Sequence, residues 1–96
     1  MNKFQITEFI KTEKRYLQEH FGVQEIALFG SYARGEEKKD SDIDILVSII
    51  KPSYSLLMGL YIYLEKHFDT KINIVRKGPH LSDRFLQQIK KDLIYV

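Results

Sequence analysis

Residues 25–47 read EIALFGSYARGEEKKDSDIDILV. A compact apolar run is stopped by Gly30, a polar stretch follows, and a second run rich in isoleucine and valine begins at Asp42. Both runs have the composition of strands, and the piece between them holds a turn and a short helix. The second run poses a physical problem. Side chains alternate along a strand, so Asp42 and Asp44 project from one face, their Cα atoms about 6.6 Å apart, while Ile43, Ile45 and Val47 take the other. Two like charges side by side on a half-buried strand repel unless a cation neutralises them.

Working outward, Ile6, Phe9, Ile10, Leu17 and Phe21 recur near helical spacing between Gln5 and Phe21, with Gly22 placed for a left-handed cap. Pro52 and Ser53 open a helix of about four turns whose stripe is Leu57, Leu60, Tyr61, Leu64 and Phe68. Met58 and Ile62 lie off that stripe and read first as a second core face, with a partner surface as the alternative. TKINIVRKG is a third strand closed by Gly78 and Pro79, and Ser82 caps a last helix with Phe85, Leu86, Ile89 and Leu93 inward. The predicted order is α-β-α-β-α-β-α. The class is α/β (α+β), a small mixed sheet of three or four strands with helices packed on it, and residues 1–96 form one domain.

Composition narrows the function. The chain has 96 residues, 44% hydrophobic and 29% charged, which excludes disorder, and no apolar run approaches the roughly 20 residues of a bilayer span. MNKFQITEF carries no secretory signal, so a cytoplasmic location is expected. Zero cysteines exclude disulfides, thiolate metal sites and cysteine nucleophiles. A net charge of +2 is too mild to announce nucleic-acid binding, and the basic runs NIVRKG and KKDLIYV read as solvated faces. His20, His67 and His80 are scattered without metal-site spacing and read as surface or helix-end residues.

The chemistry sits in GSYARG. Gly30 can adopt backbone angles closed to other residues and lets a ligand approach the main chain, and Ser31 is placed to cap the helix that starts there. A strand ending in Gly-Ser at a helix start suits a phosphate group. Magnesium takes one or two carboxylates together with phosphate oxygens and water. The turn and the Asp42–Asp44 pair therefore read together as a holder for a metal–triphosphate complex.

GSYARGEEKKDSDID, a Gly-Ser pair followed after ten residues by Asp-x-Asp, resembles the signature of the DNA polymerase beta-like nucleotidyltransferase superfamily. The closer resemblance is to its minimal nucleotidyltransferases, and it spans nearly the whole chain, from EIALFGSYARG through SDIDILV and KINIV to LSDRFLQQI. The resemblance implies the nucleotidyltransferase fold, with Gly30 and Ser31 gripping a triphosphate and Asp42 and Asp44 binding Mg2+. It implies transfer of a nucleoside monophosphate from ATP or another nucleoside triphosphate to an acceptor. Arg34 and Gly35 match the ARG that closes the short helix in minimal members. Arg34 is read either as a bidentate phosphate ligand or as an ion-pair partner of the acidic loop EEKKD. Ser41 matches the small polar residue before the first aspartate, with loop capping as its task. Minimal members have no acceptor domain and act with HEPN-domain proteins as toxin and antitoxin, so a hetero-complex or other oligomer is implied.

One position departs from the family. The third catalytic carboxylate of a later strand is replaced by Asn73, in INIV. Asparagine oxygen can coordinate a metal but brings no charge and cannot act as a general base. Asp69 lies about 13 Å away along an extended strand and Glu65 sits on the preceding helix, so both are poor substitutes. A weakened enzyme, or a binding module that silences its partner by contact alone, are the two readings that Asn73 leaves open.

Overall fold

The computed structural model describes residues 1–96. Eight elements follow one another: α1 (Lys3–Phe21), β1 (Val23–Phe29), α2 (Gly30–Arg34), β2 (Ile43–Ile49), α3 (Tyr54–Phe68), β3 (Ile72–Arg76), α4 (Asp83–Lys90) and β4 (Ile94–Tyr95). The sheet order is β3-β2-β1-β4, with β1 antiparallel to both of its neighbours and β2 parallel to β3. A parallel pair needs a crossover, and α3 provides it.

Local chemistry places the helix ends. Asn2 and Gln5 form a reciprocal capping box at the start of α1, and Gly22 ends it at φ 69°. Ser53 accepts from the Leu56 amide and Ser82 from the Phe85 amide, as the sequence leads one to expect. Asp69 terminates α3 in the left-handed region at φ 51°, so it lies outside β3 and not on the strand's polar face.

Both faces of the sheet are covered. Ile26 and Leu28 of β1, Ile43, Ile45 and Val47 of β2, and Ile72 and Ile74 of β3 pack with Ile6, Ile10 and Leu17 of α1 and Leu60, Leu64 and Phe68 of α3. The other set of side chains, Ala27, Phe29 and Leu46, packs beneath Ile89 of α4, with Val75, Leu81, Phe85 and Leu93 at its edge. This is why EIALF reads as a continuous apolar run and not as an alternating one. Each fully buried isoleucine or leucine contributes about 1.5–3 kcal/mol. No helix is long and apolar enough to cross a membrane.

Three expectations are corrected. The chain ends in a strand, not a helix: α4 stops at Lys90, Leu93 lies beyond it, and β4 pairs with Ala27 and Leu28 on the outer edge of β1. Met58 and Ile62 are not a second core face, being 39% and 64% exposed, because the packed stripe of α3 is narrow and the sheet meets only one side of it. Ser31 is not the helix cap. Phe29 occupies that position, and Ser31 lies inside the first turn of α2.

Where α1 meets α3, the Tyr63 hydroxyl donates to the Glu13 carboxylate, and the Tyr63 ring stacks on Tyr16. Burial, with the Glu13 bond adding to it, pushes the Tyr63 phenol up to about 12. The folded chain therefore holds this proton more tightly than the unfolded one, and that stabilisation is complete below about pH 10 and lost as pH rises towards 12. Alkaline melting curves of Tyr63→Phe should show a flatter loss of Tm across that window than wild type. Parallel curves would sink the assignment.

Candidate active site

The candidate site forms at the end of the sheet where β1 finishes and β2 and β3 begin. Register puts Phe29, Asp44 and Asn73 side by side across three strands. All three point to the α4 side, opposite the face where Ile43, Ile45, Ile72 and Ile74 are buried. The Phe85 ring of α4 meets Phe29 edge to face at 6.2 Å, leaving Asp44 half-buried and Asn73 exposed.

Asp44 is held from two sides. The Asn73 amide Nδ2 donates to Asp44 Oδ1 at 3.0 Å. The other carboxylate oxygen lies against the backbone of Gly30, where an added Cβ would stand 2.1 Å from Asp44 Oδ2. Gly30 itself has φ 77°. Glycine is thus required twice at this position, once for its backbone angle and once for the carboxylate seated on it. Gly30→Ala should cost about 1–3 kcal/mol of stability from the strained angle alone, and it should displace the Asp44 carboxylate. Thermal melting beside nucleotide titration checks this; a variant equal to wild type in both would contradict the seat.

Burial raises the Asp44 pKa, the Asn73 hydrogen bond lowers it, the Asp42 charge raises it and the Arg34 charge lowers it, in decreasing order. Asp42 directly precedes β2 and is also half-buried. Its charge therefore reaches Asp44, as the strand alternation led one to expect. Ser41 caps the loop, its hydroxyl accepting from the Lys38 amide at 2.8 Å. Arg34 donates from Nε to Glu36 Oε1 at 2.9 Å and from Nη1 to Asp92 Oδ2 at 2.7 Å. The pairing with the acidic loop was legible in the sequence, whereas Asp92 was not. It sits in a run that reads as basic, and only the docking of the C-terminal segment brings it to Arg34.

Asp42 and Asp44 offer hard carboxylate oxygens of the kind magnesium takes, and their mutual repulsion is what a cation would relieve. No group of three acidic, histidine or cysteine side chains assembles anywhere in the molecule. Asp69 belongs to the end of α3, and Glu65 lines an exposed hollow with Met58, Tyr61 and Ile62. Neither joins Asp42 and Asp44 in such a group. His20, His67 and His80 are exposed, His20 stacked on Tyr16 and His67 against Phe9.

A four-stranded mixed sheet with helices on both faces places the chain among the α/β domains of the nucleotidyltransferase fold. The chain belongs to the nucleotidyltransferase domain family, whose pattern matches residues 10–96. It is 40% identical over 95 residues to a Methanocaldococcus jannaschii protein named among the protein adenylyltransferases, covering 96% of this chain and 95% of that one. It is 38% identical over 93 residues to the protein adenylyltransferase MntA of Thermococcus cleftensis, covering 96% and 93%. Among solved structures, a minimal nucleotidyltransferase superposes with a TM-score of 0.81 at 26% identity, over 98% of this chain and 95% of that one. A chain from a toxin-antitoxin crystal structure with AMP-PNP superposes with a TM-score of 0.70 at 25% identity, over 88% and 70%. The mixed fold and the enzyme class expected from GSYARGEEKKDSDID are therefore those of the protein.

Proposed function

We propose that this nucleotidyltransferase moves an adenylyl group from magnesium-ATP to a hydroxyl of a partner protein, and that the partner is of the HEPN type. The observation that carries the proposal is the seating of Asp44: one carboxylate oxygen on the Gly30 turn, the other on Asn73, with Asp42 beside it. The names of its relatives support protein as acceptor, and the AMP-PNP in the similar toxin-antitoxin structure supports an adenine nucleotide. The HEPN partner rests on the resemblance to minimal nucleotidyltransferases.

Each residue then has a task. Gly30 lets the triphosphate approach the backbone, Ser31 offers its hydroxyl, and Arg34 neutralises phosphate charge. Asp42 and Asp44 would hold magnesium, which when bound offsets the charge of the triphosphate and of the oxygens that exchange on phosphorus. The acceptor oxygen bonds to the α-phosphorus and gives up its proton to solvent water, the bond from that phosphorus to the β-phosphate bridge breaks, and pyrophosphate leaves. Asn73 orients Asp44 and cannot take the acceptor's proton.

The test is calorimetric titration of the purified protein with ATP, with and without magnesium, followed by transfer of labelled AMP to the co-expressed partner. Binding that depends on magnesium and disappears in Asp42→Asn is expected. Wild-type protein that binds no nucleotide, alone or with the partner, would remove the reading. Asn73 favours one competing reading, silencing of the partner by contact alone, under which Asp44→Asn would neutralise the partner as well as wild type does.

A further inference from the structure

Asp92 is the most shielded acid in any ion pair of the molecule, its side chain 10% exposed. It lies in the turn after α4, where its amide donates to the Ile89 carbonyl at 2.9 Å. Its carboxylate receives the Arg34 guanidinium at 2.7 Å from 58 residues away in the chain. Immediately beyond it, Ile94 and Tyr95 pair with Leu28 and Ala27, and the Val96 amide donates to the Ile26 carbonyl at 3.0 Å. The C-terminal segment thus zips onto β1, the same strand that runs into the Gly30 turn.

The two acids on Arg34 differ in kind. Glu36 is two residues away and 61% exposed, so its pair is local and bathed in water. Asp92 comes from another part of the fold and is rigidly placed by backbone bonds on both sides. With Nε and one Nη1 hydrogen engaged, the guanidinium retains three donors for a further anion. Arg34 closes the five-residue helix that starts at Gly30, the residue against which the Asp44 carboxylate is seated. An ion pair adds little stability that an apolar contact could not add. What it adds is a fixed direction for a planar fork.

We infer that Asp92 is a positioning residue for the nucleotide: anchored by β4, it aims the Arg34 guanidinium at the phosphate site beside Asp42 and Asp44. This rests on the reading above that Arg34 serves phosphate. Asp92 itself touches no substrate and acts only through Arg34.

The experiment is a double-mutant cycle on the full chain, with magnesium-ATP affinity measured for wild type, Asp92→Asn, Arg34→Gln and the pair. Nitrogen-15 spectra of the arginine Nη groups are recorded without nucleotide. Asp92→Asn should weaken binding about tenfold, the scale of one charge-assisted hydrogen bond, and should change nothing further in the Arg34→Gln background. The Arg34 Nη signals should be resolved in wild type, where Nη1 is held by Asp92, and averaged by rotation in Asp92→Asn, while Asp92→Glu should recover part of both effects. A lower Tm with unchanged affinity, or equal losses in the two backgrounds, would make Asp92 a structural residue and overturn the inference. If in that case Asp44→Asn still loses nucleotide, the site itself stands. Wild-type protein that does not bind magnesium-ATP, alone or with the partner, overturns both.

Discussion

Asp44→Asn lowers magnesium-dependent nucleotide transfer by at least about a hundredfold, the scale seen when one preorganised electrostatic group is removed from an active site, and leaves the metal-free protein at least as stable as wild type at neutral pH. The two effects share one cause. Asp44 is held half-buried against the Gly30 backbone, and burial is the largest of the influences that raise its pKa. A raised pKa means that the folded chain binds this proton more tightly than the unfolded one. Stability is therefore greatest below the ordinary carboxylate range and falls as pH rises through the raised value. Asparagine keeps the shape, can accept the Asn73 hydrogen bond, and removes both the buried charge and its repulsion with Asp42. Melting temperatures of the two metal-free proteins from acid to neutral pH, alongside transfer assays with saturating magnesium, check this. A variant that melts below wild type across that range, or that still transfers nucleotide, would contradict the assignment of Asp44 as a group kept for function at a cost in stability.

Much of this arrangement is legible before any coordinates. Helical spacing marks α1 and α3, because each presents one apolar stripe to a sheet, and Gly22, Ser53 and Ser82 cap where local chemistry says they should. The Asp42–Asp44 alternation points to the candidate site because like charges on a half-buried strand need a reason. Other features depend on contacts that no local pattern encodes. β4 has only two paired residues, too few for periodicity, although Ile94, Tyr95 and Val96 are the β-branched and aromatic types that strands favour. Ser31 looks like a cap, but the helix starts at Gly30, two residues sooner than it would after a cap at Ser31. Asp92 reads as one acid in a basic run, and its role depends on a fold-long approach to Arg34. Met58 and Ile62 look like core by composition, and whether a helix buries a second face is decided by its neighbours.

Restoring the acid at Asn73 has the opposite pair of effects. In Asn73→Asp the amide that donates to Asp44 Oδ1 is replaced by a carboxylate at the same register position, so a 3.0 Å hydrogen bond becomes a like-charge contact. The metal-free variant should lose about 1–3 kcal/mol of stability, the usual cost of removing a partner from a partly buried polar group. Magnesium should recover much of that loss in Asn73→Asp and little in wild type, since binding to the folded state alone raises Tm by mass action. Transfer should rise by about a hundredfold or more, because a carboxylate at this position can accept the acceptor's proton as asparagine cannot. Asn73→Ala separates the two roles: it removes the donor without adding charge, so it should loosen Asp44 and weaken nucleotide binding with no gain in rate. If Asn73→Asp gains magnesium-dependent stability but no transfer with its natural partner, the third carboxylate is not what limits turnover, and the asparagine is kept for its grip on Asp44. If it gains neither, Asp42, Asp44 and residue 73 do not share a cation, and the contact-only reading becomes the stronger one.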